Sequence, residues 1–442
     1  MSDAVKDEQA MNRRDFLTTS AAALLMPLPL RAATGEIRLR PAPVSQQILP
    51  TEYAGPTKLL GFNGGVPGPE IRAAQGERVR VLLDNGLDEG AAVHWHGVRL
   101  ANAMDGVPMM TQDLVDPGAT FLYDFVPPDA GTYWYHSHYL SLEQVGRGLM
   151  GPLIVTEAAP PDVDHDITAM MADYKLDPEG QLTDDFANPH DVSHDGRMGN
   201  FARAFLPDVT LRQGERIRLR LVNGSVDRVI PVLLQGLEGK IVALDGMPLA
   251  SPRAIDVPLL APAQRVDIIA DVTGPVRLEM EHRMGPYPLG ELAVDGEVTP
   301  RDTPVAALPA NPVPTPGPVT QDLTLTLQGG MMAPRHTGDN IWAVNGVSDM
   351  QPDPFARFAR GETARITLVN DTAFPHGIHL HGHHFHELGP DGTPGDLRDT
   401  TLVERGESRS ILCTFDNPGH WMVHCHMLSH QVGGMMTWVE VA

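Results

Sequence analysis

Polar and apolar residues alternate with a period of two along much of the chain, and the clearest run occurs three times. Gly76-Glu77-Arg78-Val79-Arg80-Val81-Leu82-Leu83-Asp84-Asn85 matches Gly214-Glu215-Arg216-Ile217-Arg218-Leu219-Arg220-Leu221-Val222-Asn223. A third copy runs Gly361-Glu362-Thr363-Ala364-Arg365-Ile366-Thr367-Leu368-Val369-Asn370. A period of two is that of a strand with one face buried. Nine residues after each asparagine a second strand is predicted: His94-Trp95-His96-Gly97, Val232-Leu233-Leu234-Gln235 and His379-Leu380-His381-Gly382. The repeat ends also correspond. Pro117-Gly118 leads through Phe125 and Gly131 to His136-Ser137-His138, and Arg405-Gly406 leads through Phe415 and Gly419 to His424-Cys425-His426. The middle copy runs from Ala263-Gln264-Arg265-Val266-Asp267 to Leu278-Glu279-Met280 and carries no histidine pair. Many short strands, frequent turn residues and no helical periodicity predict an all-β chain of three Greek-key β-sandwiches. The repeats place them at 34–158, 159–290 and 320–442, joined by a linker over 291–319 that is dense in Pro and Ala from Val298 to Val319.

Composition narrows the class of partner. The 442 residues carry 33 Lys and Arg against 56 Asp and Glu, a net charge of −23 that opposes nucleic acid and anionic membrane surfaces. Two cysteines exclude a disulfide scaffold, and 43 Gly with 40 Pro suit many short turns. Residues 1–33 read as an address. Asn12-Arg13-Arg14-Asp15-Phe16-Leu17-Thr18 precedes a short apolar run from Thr19 to Leu30, and Leu30-Arg31-Ala32 offers a small-residue cleavage site. This resembles a twin-arginine export signal and predicts passage through the folded-protein export machinery to the periplasm or an equivalent exterior. No later segment approaches eighteen uninterrupted apolar residues, so no membrane span is expected in the mature chain.

Four clusters hold ten of the 19 histidines: His94 with His96, His136 with His138, His376 with His379 and His381, and His424 with His426 and His430. Residues two apart on a strand share a face, so each His-x-His presents two imidazoles to one side. Cys425 lies between His424 and His426 and must point the opposite way. One strand then serves two metal centres. Zinc competes for imidazole sites. A cysteine, two histidines and a distant methionine, however, form the donor set of a trigonal blue-copper site, here Cys425, His376 and His430 with Met435 or its neighbour Met436 as the axial group.

Taken together, His94-Trp95-His96-Gly97, His136-Ser137-His138, His376-Gly377-Ile378-His379-Leu380-His381-Gly382 and His424-Cys425-His426-Met427-Leu428-Ser429-His430 closing on Met435 resemble the three-domain multicopper oxidases, a family that includes laccases and the bacterial copper-efflux oxidase. The resemblance covers essentially the whole mature chain and implies three cupredoxin-like domains holding four coppers. It assigns His376, Cys425, His430 and Met435 to the type 1 copper and His94 and His379 to the type 2 copper. His96, His136 and His426 would hold one type 3 copper, and His138, His381 and His424 the other. The trinuclear site would lie between the first and third domains, with the middle copy as a metal-free spacer.

The resemblance further implies an oxidase that takes single electrons from a phenolic or aromatic-amine donor, or from a metal ion such as Cu(I), and reduces dioxygen to water. His430 is expected at the surface edge where the donor docks. Electrons would pass through Cys425 to His424 and His426. Asp105 stands where the family commonly has a proton-supplying acid, although Met104-Asp105-Gly106 also has the form of a simple Asp-Gly turn. A second family acid is replaced by Gln431, with Ser429 before the histidine. Met109-Met110, Met331-Met332 and Met435-Met436 are doublets, but the third domain has no long Met-rich insertion, which tilts the donor toward phenols. Cys413, in an apolar run, is expected to be a buried small side chain.

Overall fold

The computed structural model describes residues 35–331 and 338–442, together with the backbone of Leu30–Arg31. The rest of the predicted export signal, and with it Met332 and His336, lies outside the described residues. Strands dominate, and the alternating runs become Val79–Asp84, Arg216–Asn223 and Glu362–Asn370. Among the described residues the helices are single turns: Asn102–Met104, Ser141–Gly146, Pro189–Ser193 and Leu428–Val432. Segments this short cannot display a 3.6-residue period, so the alternation pattern carried no sign of them.

Three successive groups of sheets follow the chain. Strands between 30 and 156 form a five-stranded sheet that starts on Leu30–Arg31 and ends on Gly131–Ser137 and Val93–His96, a three-stranded sheet and a hairpin. Strands between 165 and 297 form one nine-stranded sheet, and those between 319 and 441 form a six-stranded and a five-stranded sheet. We refer to them as the first, middle and third units. Strand Tyr287–Glu297 runs through the boundary expected at 290, still paired with Arg265–Met280 and Thr210–Gln213, so the irregular linker begins only after 297.

The repeated asparagine explains why the histidine strands recur at fixed spacing. Asn85 donates Nδ2 to Glu89 O and Val115 O, Asn223 to Arg228 O and Leu260 O, and Asn370 to Phe374 O and Val403 O. In each copy Oδ1 accepts the N–H two residues on. A buried amide thus satisfies three backbone groups of the turn that delivers the next strand.

The middle copy departs from its sequence pattern. Arg216–Asn223 is buried on both faces. Its polar positions are covered by acids of the same unit and by the first unit: Arg218 pairs with Asp267 and reaches Glu157 of the first unit, and Arg220 pairs with Asp166 and Asp267 and reaches Thr132 of the first unit. An apolar cluster containing Trp134, Met150, Met170, Phe205, Val222, Ala263 and Leu428 joins all three units.

Asn370→Ala strands the carbonyls of Phe374, Val403 and Glu404 and two donors of Thr372 at the turn leading to His376. It is expected to lower unfolding free energy by about 2–4 kcal/mol. Urea denaturation measures this, and an unchanged midpoint would mean that water satisfies the turn instead.

Candidate metal centres

Eight imidazoles meet where the first unit faces the third: those of His94, His96, His136 and His138, and those of His379, His381, His424 and His426. Strand pairing sets their positions. Val93–His96 lies antiparallel to Gly131–Ser137 with His94 opposite His136, and His376–Leu380 lies antiparallel to Gly419–Cys425 with His379 opposite His424. His138, His381 and His426 follow where their strands end. Across the two units the rings of His96 and His379 stack at 3.8 Å between centroids, and those of His94 and His381 stand at 4.0 Å. His381 Nε2 is 3.0 Å from His424 Nε2, with His138 in the same group, and His136 Nε2 is 3.4 Å from His426 Nε2.

The outer ring nitrogens are engaged and several inner ones are free. His94 Nδ1 donates to Asp105 O at 2.8 Å, His136 Nδ1 to Ser137 O at 2.9 Å, His379 Nδ1 to Asp399 O at 2.8 Å and His424 Nδ1 to Cys425 O at 2.9 Å. A carbonyl can only accept, so each ring carries its proton outward and turns a lone pair inward. His94 Nε2, His96 Nδ1, His138 Nε2 and His379 Nε2 are buried without any hydrogen-bond partner. Buried polar atoms without partners are costly, and convergent imidazole lone pairs are the donor chemistry of a transition-metal ion. Burial first, and neighbouring imidazoles second, hold His136, His138, His381 and His426 well below the ordinary histidine pKa. Burial brings His424 down to about 4. These five therefore stand as neutral imidazoles at neutral pH.

A second group sits on the far side of the Gly419–Cys425 strand. Cys425 Sγ lies 3.6 Å from His376 Nδ1 and 3.7 Å from His430 Nδ1, and the two nitrogens are 3.0 Å apart. Thr372 Oγ1 holds His376 Nε2 at 2.8 Å. Of the two axial candidates, Met435 is fully buried in the same core as Cys425, whereas Met436 is half-buried on the next strand. Burial pushes the Cys425 thiol far up, so the metal-free side chain is protonated and a metal must displace that proton. Cys413 lies buried in the third core and neither cysteine is bridged.

His430 is not at a surface edge. It is fully buried on the short helix Leu428–Val432, and its Nε2 donates to His194 O of the middle unit at 2.7 Å. The segment that covers it, Pro189–Ser193 with His194, is tied down by Trp342 Nε1 bonding Val192 O. His190 and His194, for which the sequence offered no partners, stack on one another at 4.1 Å. Asp227, which no pattern marked, is buried and accepts from Ser429 N and Oγ, so a middle-unit carboxylate holds the turn carrying His430. Burial raises its pKa to about 6.

Asp105 forms the Asp-Gly turn and also turns its carboxylate toward the cradle. Its Oδ2 accepts from His381 Nδ1 at 2.9 Å, its carbonyl accepts from His94, and Gly106 follows with φ +81°, where a Cβ would collide with Val93 O. Gln431 accepts from Ser141 Oγ of the first unit. Asp399, also unmarked by any sequence pattern, reaches the cradle through His96 and His379. Its only hint was the single acidic side chain in the run Leu397-Arg398-Asp399-Thr400-Thr401.

Imidazoles with depressed pKa values make the metal-free protein acid-sensitive. Above about pH 6.5 they are neutral folded or unfolded; below it the unfolded chain binds protons that the folded chain refuses. Stability is expected to fall from about pH 6.5 toward about pH 4, by up to about 1.4 kcal/mol per pH unit for each such histidine. Urea midpoints of the metal-free chain across that range test this, and a flat profile would contradict it.

Models of the multicopper oxidase family match residues 45–160, 167–277 and 316–442. The chain is 30% identical to the multicopper oxidase MmcO of Mycobacterium tuberculosis, over 94% of this chain and 88% of that one. It is 29% identical to Laccase-1 of Botryotinia fuckeliana, over 85% and 77%, and 27% identical to a copper resistance protein A homolog of Pseudomonas syringae pv. tomato, over 86% and 89%. The solved structure of Lac15 from a marine microbial metagenome superposes with a TM-score of 0.81 at 50% identity, covering 92% of this chain and 100% of that one. With three cupredoxin-like β-sandwich modules and histidine groups compatible with four coppers, the chain belongs to the multicopper oxidases.

Proposed function

We propose that this oxidoreductase is laccase-like, oxidising phenols or aromatic amines at a type 1 copper and reducing dioxygen at a trinuclear cluster. One observation carries the reading: Cys425 faces His376 and His430 while its chain neighbours His424 and His426 stand in the imidazole cradle. In this reading His376, Cys425, His430 and Met435 hold the type 1 copper, and His94 and His379 the type 2. His96, His136 and His426 hold one type 3 copper, and His138, His381 and His424 the other. Copper supplies the one-electron chemistry that joins a donor giving single electrons to an oxidant taking four.

The chain's own residues supply path, orientation and protons. Cys425 gives a covalent route from thiolate to two imidazoles through a single strand. Asp105, buried and bonded to His381, is placed to hold a proton beside the cradle. Gln431 and Ser429 cannot, so Asp105 carries more of that task than in relatives with a second acid. The division into units at 34–158, 159–290 and 320–442 assigns the cradle to the first and third. The twin-arginine segment supports export of the folded, loaded protein to the periplasm, and no helix among the described residues is long and apolar enough to cross a membrane.

A second reading, oxidation of metal ions, is favoured by the relatives named for copper resistance. Turnover of a phenol against turnover of Cu(I) on the copper-loaded protein separates the two; exclusive activity on Cu(I) would sink the laccase-like reading. Cys425→Ser is expected to abolish both the blue absorption at about 600 nm and all oxidase turnover. Asp105→Asn is expected to slow reoxidation by dioxygen by about tenfold or more with the blue band retained. Stopped-flow reoxidation at the parent's rate would remove Asp105 from the proton route.

A further inference from the structure

We propose that Arg265, a residue of the middle unit, is a positioning residue for the imidazole cradle: through Asp399 it sets which nitrogen of His96 faces inward. The Arg265 guanidinium is fully buried at the junction of all three units. Its Nη1 and Nη2 donate to Asp399 Oδ1 and Oδ2 of the third unit at 2.9 and 2.6 Å. Its Nε donates to Thr132 O of the first unit at 3.0 Å. Such a two-pronged bond fixes the carboxylate plane, which a lysine cannot do.

The fixed carboxylate then acts on two ligands. Asp399 Oδ1 faces His96 Nε2 at 3.2 Å, and Thr400 Oγ1 donates to the same oxygen at 2.8 Å. A carboxylate opposite Nε2 places the proton there and leaves the His96 lone pair on Nδ1, the atom that is buried without a partner. The Asp399 carbonyl meanwhile holds His379 Nδ1, so one residue aligns two stacked rings that come from opposite units. Without a cation beside it, a carboxylate this deeply buried would be strongly disfavoured. The backbone makes room for the pair at Gly97, immediately after His96, which has φ +83° and whose Cβ would strike both Arg265 Nη2 and Asp399 Oδ2. The middle unit thereby takes part in the cradle without contributing an imidazole to it.

This inference rests on the proposed trinuclear assignment, and the test separates the two. Arg265→Met and Arg265→Lys are loaded with copper and exposed to a chelator, with total copper followed by metal analysis and the type 1 site by its blue absorption. Arg265→Met is expected to lose non-blue copper about tenfold or more faster than the parent while its blue band decays at the parent's rate. Arg265→Lys, which keeps the charge and loses the fork, is expected to fall between them. Parent-like retention of non-blue copper, or loss of blue and non-blue copper in step, would overturn the inference. If Arg265→Met does not fold, Asp399→Asn undergoes the same measurement with the same expectation, and parent-like retention there overturns it equally. A parent protein that binds no copper beyond the blue site would defeat the functional reading itself, and this inference with it.

Discussion

The controlling constraint is the desolvation of imidazoles. Eight of them are withdrawn from water into one space, where burial above all, with mutual repulsion, holds His96, His136, His138, His379, His381 and His426 well below the ordinary histidine pKa. The outer nitrogens of His94, His96, His136, His379, His381 and His424 are bound to backbone carbonyls or to Asp105 and Asp399, and no protein group meets His94 Nε2, His96 Nδ1, His138 Nε2 or His379 Nε2. The chain thus bears a cost that only an electron-accepting ion offsets. Much else follows from it: strand registers that set His94 against His136 and His379 against His424, and repeated asparagines that hold the preceding turns.

Seen from this constraint the middle unit is more than a spacer. It has no histidine strand, yet Arg265, Asp227 and the carbonyl of His194 each reach a residue beside, or within, the histidine-bearing segments of the third unit. The arginine face of Arg216–Asn223 meets the first unit at two buried points, Arg218 with Glu157 and Arg220 with Thr132, while Asp166 and Asp267 of the middle unit hold the same guanidiniums in place.

How much of this was legible in the sequence depended on whether function was written in a periodic pattern. The histidine pairs, the cysteine between two of them and the three alternating strands could be read directly, because strand periodicity fixes which side chains share a face. What escaped were contacts between units. Asp399 and Asp227 are single acids in unremarkable surroundings, and nothing local links Arg265 to residues more than a hundred positions away. The arginines at 216, 218 and 220 occupy the face that alternation would leave to solvent, yet they are buried against acids distant in sequence, Asp271, Asp267, Asp166 and Glu157. The expected exposure of His430 failed for the same reason: a one-turn helix from another unit lies over it.

That covering segment has a consequence for how the enzyme's two halves can vary. The His430 ring has no exposed surface; what stands at its outer nitrogen is the peptide oxygen of His194. The segment that covers His430 and the strands that carry the imidazole cradle are therefore encoded in separate stretches of the gene. Natural variation, or a designer, can rewrite the former around residues 189–194 and leave the latter intact.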